Sequence, residues 1–202
     1  LDIENQYIMS PKDLKTIHFL NKVIDAGVRV LKIEGRARGP EYVKIAVQCY
    51  NEAINACCEG TFDDEKIAQW DEQLRKIFNR GFWDGYYMGQ RLGEWSAKYG
   101  SSATRVKTYV AKGVRYFSNI GVAEFYMESG ELCVGDEIII TGPTTGAMIL
   151  TLDEIRVDLK PVEKAVKGQS ISFKVPAKIR PSDRLYRWLP TESDKQNKEN
   201  QK

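Results

Sequence analysis

The sequence predicts an α+β protein in which a mostly helical first half is followed by a small antiparallel β-barrel. Two observations carry this prediction: apolar residues recur at helical spacing in the first half, and at a period of two from residue 105 onward. Gly100, Ser101 and Ser102 interrupt the pattern between the halves. We therefore expect a first domain over residues 1–103, a barrel domain over 104–190 and a disordered tail over 191–202, where no large apolar side chain occurs.

The first predicted elements are a helix and a short strand. Ser10 is a candidate cap, Pro11 fits the first helical turn, and Gly27 would end the helix in the left-handed conformation. Residues 28–33 then read as a β-branched strand. Because a parallel strand needs neighbours on both sides, we expect the missing strands upstream, and this unit would be the last turn of a (β/α)8-like domain. In that architecture the loop after the strand faces the active site.

Two more helices and a series of strands follow. The second helix should end at Gly60 and bury Val43, Ala46, Tyr50, Ala53, Ile54 and Cys57; the third should start near Asp63 and bury Ile67, Trp70, Leu74, Ile77 and Phe78. Strands are predicted over residues 106–111, 114–127, 136–141, 147–157 and 169–175. Gly135 and Asp136 predict a tight turn before one of them. Short strands at this spacing favour a closed barrel.

Charge and composition exclude several classes of function. The 202 residues carry 30 Lys plus Arg against 28 Asp plus Glu, so any polyanion must be held by a local patch. His18 is the only histidine, which excludes a zinc site built on two imidazoles. No apolar run approaches the roughly 20 residues of a membrane span, so we expect no membrane partner. The chain begins without methionine, and we expect it to be a piece of a longer protein.

The cysteines predict free thiols rather than disulfides or metal ligands. They are Cys49, Cys57, Cys58 and Cys133, and their spacing matches no common ligand pattern. Cys49 and Cys57 fall on the apolar stripe of the second predicted helix, which favours buried thiols in a reducing cytoplasm. We therefore expect a cytoplasmic protein with no metal site in this chain.

The sharpest candidate site follows the predicted strand. Alternation along a strand would put Lys32, Glu34 and Arg36 on one side. Arg36, together with Arg38, would bind a carboxylate or phosphate through two N–H donors. Glu34 would orient a base or fix the orientation of an arginine side chain. We therefore predict Glu34 and Arg36 as catalytic residues and Lys32 and Arg38 as ligand-binding residues. The alternative is a lattice of ion pairs that holds the loop and touches no ligand.

A second candidate is an aromatic segment, residues 78–87, which packs five aromatic side chains around one arginine. An arginine framed by rings can stack on bases or bind phosphate, so Asn79 and Arg80 are further ligand-binding candidates. The alternative is an aromatic plug that joins the helical part to the barrel, with Arg80 paired to Asp84 or Glu94.

A third candidate is a basic strip near the end of the predicted barrel, beside Tyr186 and Trp188. Basic side chains next to exposed rings are typical of nucleic-acid surfaces. The predicted RNA-binding residues are Lys174, Lys178, Arg180, Arg184 and Arg187. The alternative is a solvated face with no ligand.

Four motifs resemble the carboxyl-terminal half of peptidase family U32. They are Tyr-Ile-Met-Ser-Pro-Lys-Asp-Leu at residues 7–14, Lys-Ile-Glu-Gly-Arg at 32–36, Phe-Asn-Arg-Gly-Phe at 78–82 and Leu-Gly-Glu-Trp at 92–95. The resemblance extends from about residue 3 to residue 189. It implies a (β/α)8-like catalytic domain followed by a β-barrel similar to domain 2 of elongation factor Tu, and the turn at residues 132–138 fits that barrel.

The resemblance implies more than one function. Members of the family are often labelled collagenase-like proteases, while other branches act in tRNA uridine hydroxylation with prephenate and an iron–sulfur cluster, or in related hydroxylations of ribosomal RNA and quinone precursors. For this chain it implies a part in tRNA uridine 5-hydroxylation, with a prephenate-like anion or RNA near Arg36 and Arg80 and with tRNA as a partner. The alternatives are a collagenase-like peptidase, for which the chain offers no activated nucleophile, and a non-catalytic protein-interaction module.

Two departures from the family bear on the cofactor. The cysteine-bearing signature segment of the family belongs upstream of this sequence, and Lys15 stands where many relatives carry cysteine. We therefore expect no cofactor in this chain alone, an iron–sulfur cluster in the full-length protein or in a paralogous subunit beside it, and no catalysis by the isolated piece. Without the remaining strands and loops of the domain, Glu34 and Arg36 would be exposed to water and poorly oriented toward a ligand.

Overall fold

The computed structural model describes residues 10–96, 99–192 and 194. The protein is an α+β structure with three α-helices and a large antiparallel sheet among these residues. The chain divides into two compact units, Leu1–Thr104 and Arg105–Lys202. Nearly all of the predicted tail, residues 191–202, lies outside the described residues. In the part that the structure describes, no helix has both the length and the apolar character needed to cross a membrane.

The described residues of the first unit form three α-helices and one pair of short strands. The elements are β1 (Asp13–Leu14), a 3-10 turn (Ile17–Phe19), α1 (Leu20–Asp25), α2 (Pro40–Glu59), α3 (Asp64–Lys76) and β2 (Phe82–Trp83). Strands β1 and β2 pair in parallel. This pairing places Asp13 opposite Phe82, beside the segment that carries Arg80.

The predicted helix start at residues 10–13 is wrong. Asp13 and Leu14 form strand β1, and α1 begins only at Leu20. The backbone N–H groups of Lys12 and Asp13 donate to carbonyl oxygens of Glu94 and Gly81, at 3.0 and 2.8 Å. These bonds to residues far along the chain give the backbone N–H groups their partners in an extended conformation. They outweigh the local preference of Ser-Pro-Lys-Asp for a helix start.

The predicted strand at residues 28–33 is also wrong. Gly27 ends α1 with a φ of +93°, as expected, but the residues after it form no ladder with any described strand. Val30 is 83% exposed. A strand exists where its backbone groups pair with a neighbour, and this segment has no such neighbour within the described residues. The predicted alternation of side chains therefore does not apply to it.

Helices α2 and α3 agree with the predicted boundaries. Pro40 opens α2, and Gly60 ends it at a φ of +69°. The Asp63 carboxylate accepts a hydrogen bond from the Lys66 backbone N–H at 2.8 Å and caps α3. The buried face of α2 differs in part from the predicted one: Val43 is exposed, whereas Ile45 and Ala56, which were not predicted to be buried, are buried. Its buried residues are Ile45, Ala46, Cys49, Ala53 and Ala56.

Among its described residues, the second unit contains ten strands. They are β3 (Arg105–Phe117), β4 (Val122–Met127), β5 (Glu131–Cys133), β6 (Glu137–Gly142), β7 (Gly146–Thr151), β8 (Ile155–Val157), β9 (Lys160–Val162), β10 (Lys164–Val166), β11 (Ser170–Lys174) and β12 (Arg184–Pro190). Eight of them form one antiparallel sheet in the order β7-β6-β12-β3-β4-β11-β8-β9, and β5 pairs with β10. The closure of this sheet into an elongation-factor-like barrel stays a prediction.

Strand β12 was not among the predicted strands. It lies between β6 and β3, near the middle of the sheet. The predicted strand over residues 114–127 is two strands that meet at a turn, in which Gly121 has a φ of +66°. The predicted turn at Asp136 is present: its carboxylate accepts from the Cys133 backbone N–H at 2.7 Å, and Gly135 has a φ of +87°.

The free thiols differ in their surroundings, and this gives a first prediction. Burial, followed by the nearby Glu52 charge, raises the pKa of the Cys49 thiol to about 12, whereas Cys58 on the same helix is exposed. Since the thiolate is the reactive form, a maleimide at pH 8 should label Cys58 in the native chain and reach Cys49 only after unfolding. Peptide mass spectrometry measures both. Equal labelling of the two in the native state would contradict the buried environment of Cys49.

Candidate functional site

A cavity of about 600 Å³ in the first unit brings together five of the six predicted catalytic and ligand-binding residues. Its basic lining residues are Lys12, Lys32, Arg36, Arg38 and Arg80, and its acidic ones are Asp13 and Glu34. The predicted residues reach the cavity from the loop before α2 and from the turn before β2. An excess of positive side chains favours an anionic ligand.

Asp13 on β1 is the centre of the charge network. Its carboxylate Oδ1 accepts from Arg80 Nε and Nη2 at 3.2 and 2.9 Å, and its Oδ2 accepts from the Arg80 backbone N–H at 3.0 Å. Arg38 Nη2 lies 3.9 Å from the same Oδ1. One carboxylate therefore orients two arginines. Strand β1 can place it there because β1 pairs directly with β2.

The predicted partners of Arg80 are both wrong. Asp84 lies 3.0 Å from His18 Nε2, and Glu94 accepts from Lys12 Nζ at 2.6 Å. Arg80 binds Asp13 instead, a residue 67 positions away in the chain. Only knowledge of the parallel β1–β2 pairing would have identified it.

Arg38 is held by aromatic rings. Its guanidinium carbon lies 4.0 Å from the centre of the Phe78 ring and 5.7 Å from that of Tyr42. Such stacking fixes the plane of the guanidinium while its N–H edges stay available. Burial, and then the charge of Asp13, raises the pKa of the Tyr42 phenol. Tyr42 therefore lines the cavity as a neutral hydroxyl that can donate a hydrogen bond.

Glu34 and Arg36 lie on the solvent side of the cavity. Their side chains are 66% and 89% exposed, and their charged groups are 3.9 Å apart. Glu34 Oε1 accepts from the Arg36 backbone N–H at 2.8 Å, a bond that shapes the loop. Lys32 forms no ion pair with any described residue. The catalytic roles of Glu34 and Arg36 stay predictions.

Asn79 holds the backbone turn next to Arg80 without lining the cavity. It is buried, its Nδ2 donates to the Ile77 carbonyl at 2.9 Å, and its Oδ1 accepts from the Gly81 N–H at 3.1 Å. These bonds hold Gly81, whose φ is +83°, in the turn that leads into β2. Asn79 is not among the residues that line the cavity. Its contacts place it as a residue that positions Arg80.

The predicted basic strip is not one continuous surface. Lys174, Lys178, Arg180 and Arg184 are exposed. Arg187 is not, because its guanidinium binds Asp136 at 3.0 Å and lies 3.9 Å from Glu131. Trp188, expected as an exposed ring, is buried, and the Arg105 guanidinium lies 5.7 Å from its ring centre.

The described residues do not fit an iron–sulfur cluster. Within them, no group of three or more His, Cys, Asp or Glu side chains could hold a metal ion. Cys49, Cys57 and Cys58 lie on α2 and Cys133 lies in the other unit. Lys15, which the resemblance compares with a cysteine position of the family, is ion-paired to Asp71 at 2.7 Å. No step of the chemistry is assigned to a cluster held by these residues.

Comparison with known proteins places this chain in a family. Residues 2–97 match the model of peptidase family U32. The chain is 70% identical over 188 residues to a protein named collagenase from Porphyromonas gingivalis, covering 93% of this chain and 52% of that protein. It is 29% identical over 187 residues to tRNA hydroxylation protein P1 of Bacillus subtilis, covering 89% of this chain and 43% of that protein.

Solved structures include the C-terminal domain of a Geobacillus thermoleovorans protein described as a U32 peptidase. It shares 20% identity at a TM-score of 0.38 and covers 42% of this chain and 98% of that one. This chain spans about half the length of the curated relatives it matches. On the family match and these relatives, the chain belongs to peptidase family U32.

Proposed function

We propose that this chain is part of an enzyme that hydroxylates uridine of tRNA at carbon 5, with a prephenate-like dicarboxylate bound in the cationic cavity. The observation that carries the proposal is the lining of that cavity, where five basic side chains face two acidic ones. Relatives named tRNA hydroxylation proteins agree with this reading. The proposal places the protein in the cytoplasm, where tRNA is modified.

Different residues of the cavity would make different contacts with the dicarboxylate. Asp13 fixes Arg80, and Phe78 fixes Arg38, so both guanidinium groups are oriented before the ligand arrives. An oriented guanidinium binds a carboxylate through two parallel N–H donors. Lys32 and Arg36, which are exposed, would add attraction from the solvent side. Tyr42 would donate one further hydrogen bond.

The rest of the catalytic site would come from outside this chain. An iron–sulfur cluster in the full-length protein, or in a paralogous subunit, would supply the oxidative chemistry. The remaining part of the (β/α)8-like domain would shield Glu34 and Arg36 from water, which makes charged groups more effective. The second unit, as a barrel of the elongation-factor type, would help to bind tRNA through exposed basic residues such as Arg184.

The test uses Arg36→Gln, because a side chain this exposed can be changed without unfolding the protein. In a strain that lacks the protein, the full-length wild type should restore 5-hydroxyuridine in tRNA, as measured by nucleoside mass spectrometry. The variant should restore about ten-fold less at limiting prephenate, because one charge-assisted contact is lost. Arg75→Gln, at an exposed arginine on α3 that does not line the cavity, is the matched control and should restore the wild-type level. Unchanged 5-hydroxyuridine in the strain without the protein would overturn the proposal.

A second candidate function is a collagen-degrading peptidase. The 70% identity to a protein named collagenase favours it. In that case Glu34 would act as the general base for an attacking water. Purified full-length protein and its Glu34→Gln variant should be compared on gelatin: hydrolysis by the wild type alone supports a peptidase, and inactivity of both excludes it.

A further inference from the structure

One row of side chains crosses five neighbouring strands of the second unit. Directly opposite one another in the ladder are Thr141 on β6, Arg184 on β12, Lys112 on β3, Tyr126 on β4 and Ser170 on β11. We name these five residues the Tyr126 row. Residues opposite one another across a ladder have side chains on the same face of the sheet.

The Tyr126 row faces away from the core. The adjacent row of the ladder consists of Ile140, Leu185, Ala111 and Met127, and all four are fully buried. Side chains alternate between the two faces of a sheet, so the Tyr126 row points outward. In agreement, Lys112, Arg184 and Tyr126 are all exposed.

The two basic residues of the row are placed unfavourably for the protein alone. Arg184 lies directly opposite Lys112 on the neighbouring strand, and like charges in this position destabilise a sheet. Neither side chain forms an ion pair with any described residue. A phosphate group bound between these two charges would remove the repulsion.

Aromatic rings flank these charges. Tyr126 is 44% exposed and lies next to Lys112. Beyond a β-bulge in β3, Tyr109 lies opposite Tyr186, with ring centres 5.6 Å apart in an edge-to-face arrangement. Tyr186 is two residues from Arg184 on the same strand, so it lies on the same face of the sheet, where it is half-buried. The Glu128 carboxylate accepts a hydrogen bond from the Tyr109 hydroxyl.

We infer that the Tyr126 row binds a single-stranded segment of RNA, with a base stacked on Tyr126 and phosphates held by Lys112 and Arg184. Exposed rings beside basic side chains on a sheet are the means by which proteins hold single strands. The hydroxyls of Thr141 and Ser170, at the two ends of the row, are suited to phosphate or sugar contacts. The inference rests on the proposed function only for the identity of the RNA as a tRNA.

This surface differs from the basic strip that the sequence predicted. Of the five predicted residues only Arg184 belongs to the Tyr126 row. Arg187, three residues further on, is ion-paired to Asp136, and Lys174 lines a separate cavity with Arg156 and Glu154. An acidic protein segment is the other occupant that the charges would admit. The exposed ring of Tyr126 favours RNA, because a base stacks on a ring and a carboxylate does not.

The test measures RNA binding by the 202-residue chain. Fluorescence anisotropy with a labelled RNA of about 12 uridines gives the dissociation constant of each variant. Tyr126→Ala should weaken binding about 5- to 100-fold, and Tyr126→Phe, which keeps the ring, by less than about two-fold. Lys112→Gln should lower the slope of log affinity against log salt by about 0.7, the contribution of one single-strand phosphate contact. Lys160→Gln, an exposed lysine on β9, should leave the slope unchanged.

Two results would overturn the inference. One is equal affinity of wild type and Tyr126→Ala. The other is displacement of the RNA by polyglutamate at a lower concentration than by unlabelled RNA, which would identify an acidic protein partner. Failure of the proposed function is distinguishable: it appears as unchanged 5-hydroxyuridine in the strain without the protein, while the effect of Tyr126→Ala on RNA affinity persists.

Discussion

Phe125→Ala should destabilise the second unit by about 3–5 kcal/mol, the range for removing a buried phenylalanine. Phe125 is fully buried on β4, and its ring stacks on Phe173 of β11 with centres 5.2 Å apart and planes 5° apart. The two rings join strands that are neighbours in the sheet. Truncation therefore removes transfer free energy and leaves a cavity that a closely packed sheet cannot fill.

Urea unfolding followed by circular dichroism measures the change in the free energy of unfolding, and hydrogen exchange shows whether the loss is confined to residues 105–190. Phe117→Ala is the matched control, because Phe117 is 39% exposed at the end of β3. It should cost about 1 kcal/mol or less. Similar costs for the two variants would contradict the assignment of Phe125 to the core.

The core around Phe125 could be predicted from sequence because period-two alternation is a local signal. The alternation identified the region of β4 and β11, and turn residues such as Gly135 and Asp136 marked the strand ends. It missed β12, where Arg184 and Arg187 flank Leu185 and give the segment a polar character. The ladder that makes β12 a central strand is formed with β6 and β3, which are distant in the chain.

In the first unit, local signals predicted two of the helices but not the segments around the site. The ends of α2 and α3 could be predicted from single residues. Pro40, Gly60 and Asp63 start or end a helix through local conformation and capping, without partners far along the chain. Residues 10–14 pair with segments far along the chain, and residues 28–33 have no strand partner within the described residues, so local propensity predicted neither. In the site, the Lys-Ile-Glu-Gly-Arg and Phe-Asn-Arg-Gly-Phe motifs indicated most of the basic lining. Asp13 was missed because its role follows from strand pairing rather than from its neighbours.

Asp13→Ala should destabilise the first unit by about 2–4 kcal/mol. The Asp13 side chain is only 18% exposed and accepts three hydrogen bonds from Arg80. Its removal leaves the Arg80 guanidinium half-buried without a counter-charge, and Arg38 loses the same neighbour. The Arg80 backbone N–H also loses its acceptor. Urea unfolding of the chain measures this, and Glu94→Ala, which breaks the more exposed pair with Lys12, should cost below about 1 kcal/mol.

A double-mutant cycle separates the pairing of Asp13 with Arg80 from other effects of the substitution. If the unpaired guanidinium causes most of the loss, Arg80→Ala should recover part of it, and the double variant should be about 1–2 kcal/mol more stable than the sum of the single changes predicts. The same pair orients the donors of the cavity, so Asp13→Ala should also weaken prephenate binding by the full-length protein. Strict additivity in the cycle would mean that Asp13 acts through the β1 backbone, and Arg80 would then need another source of orientation.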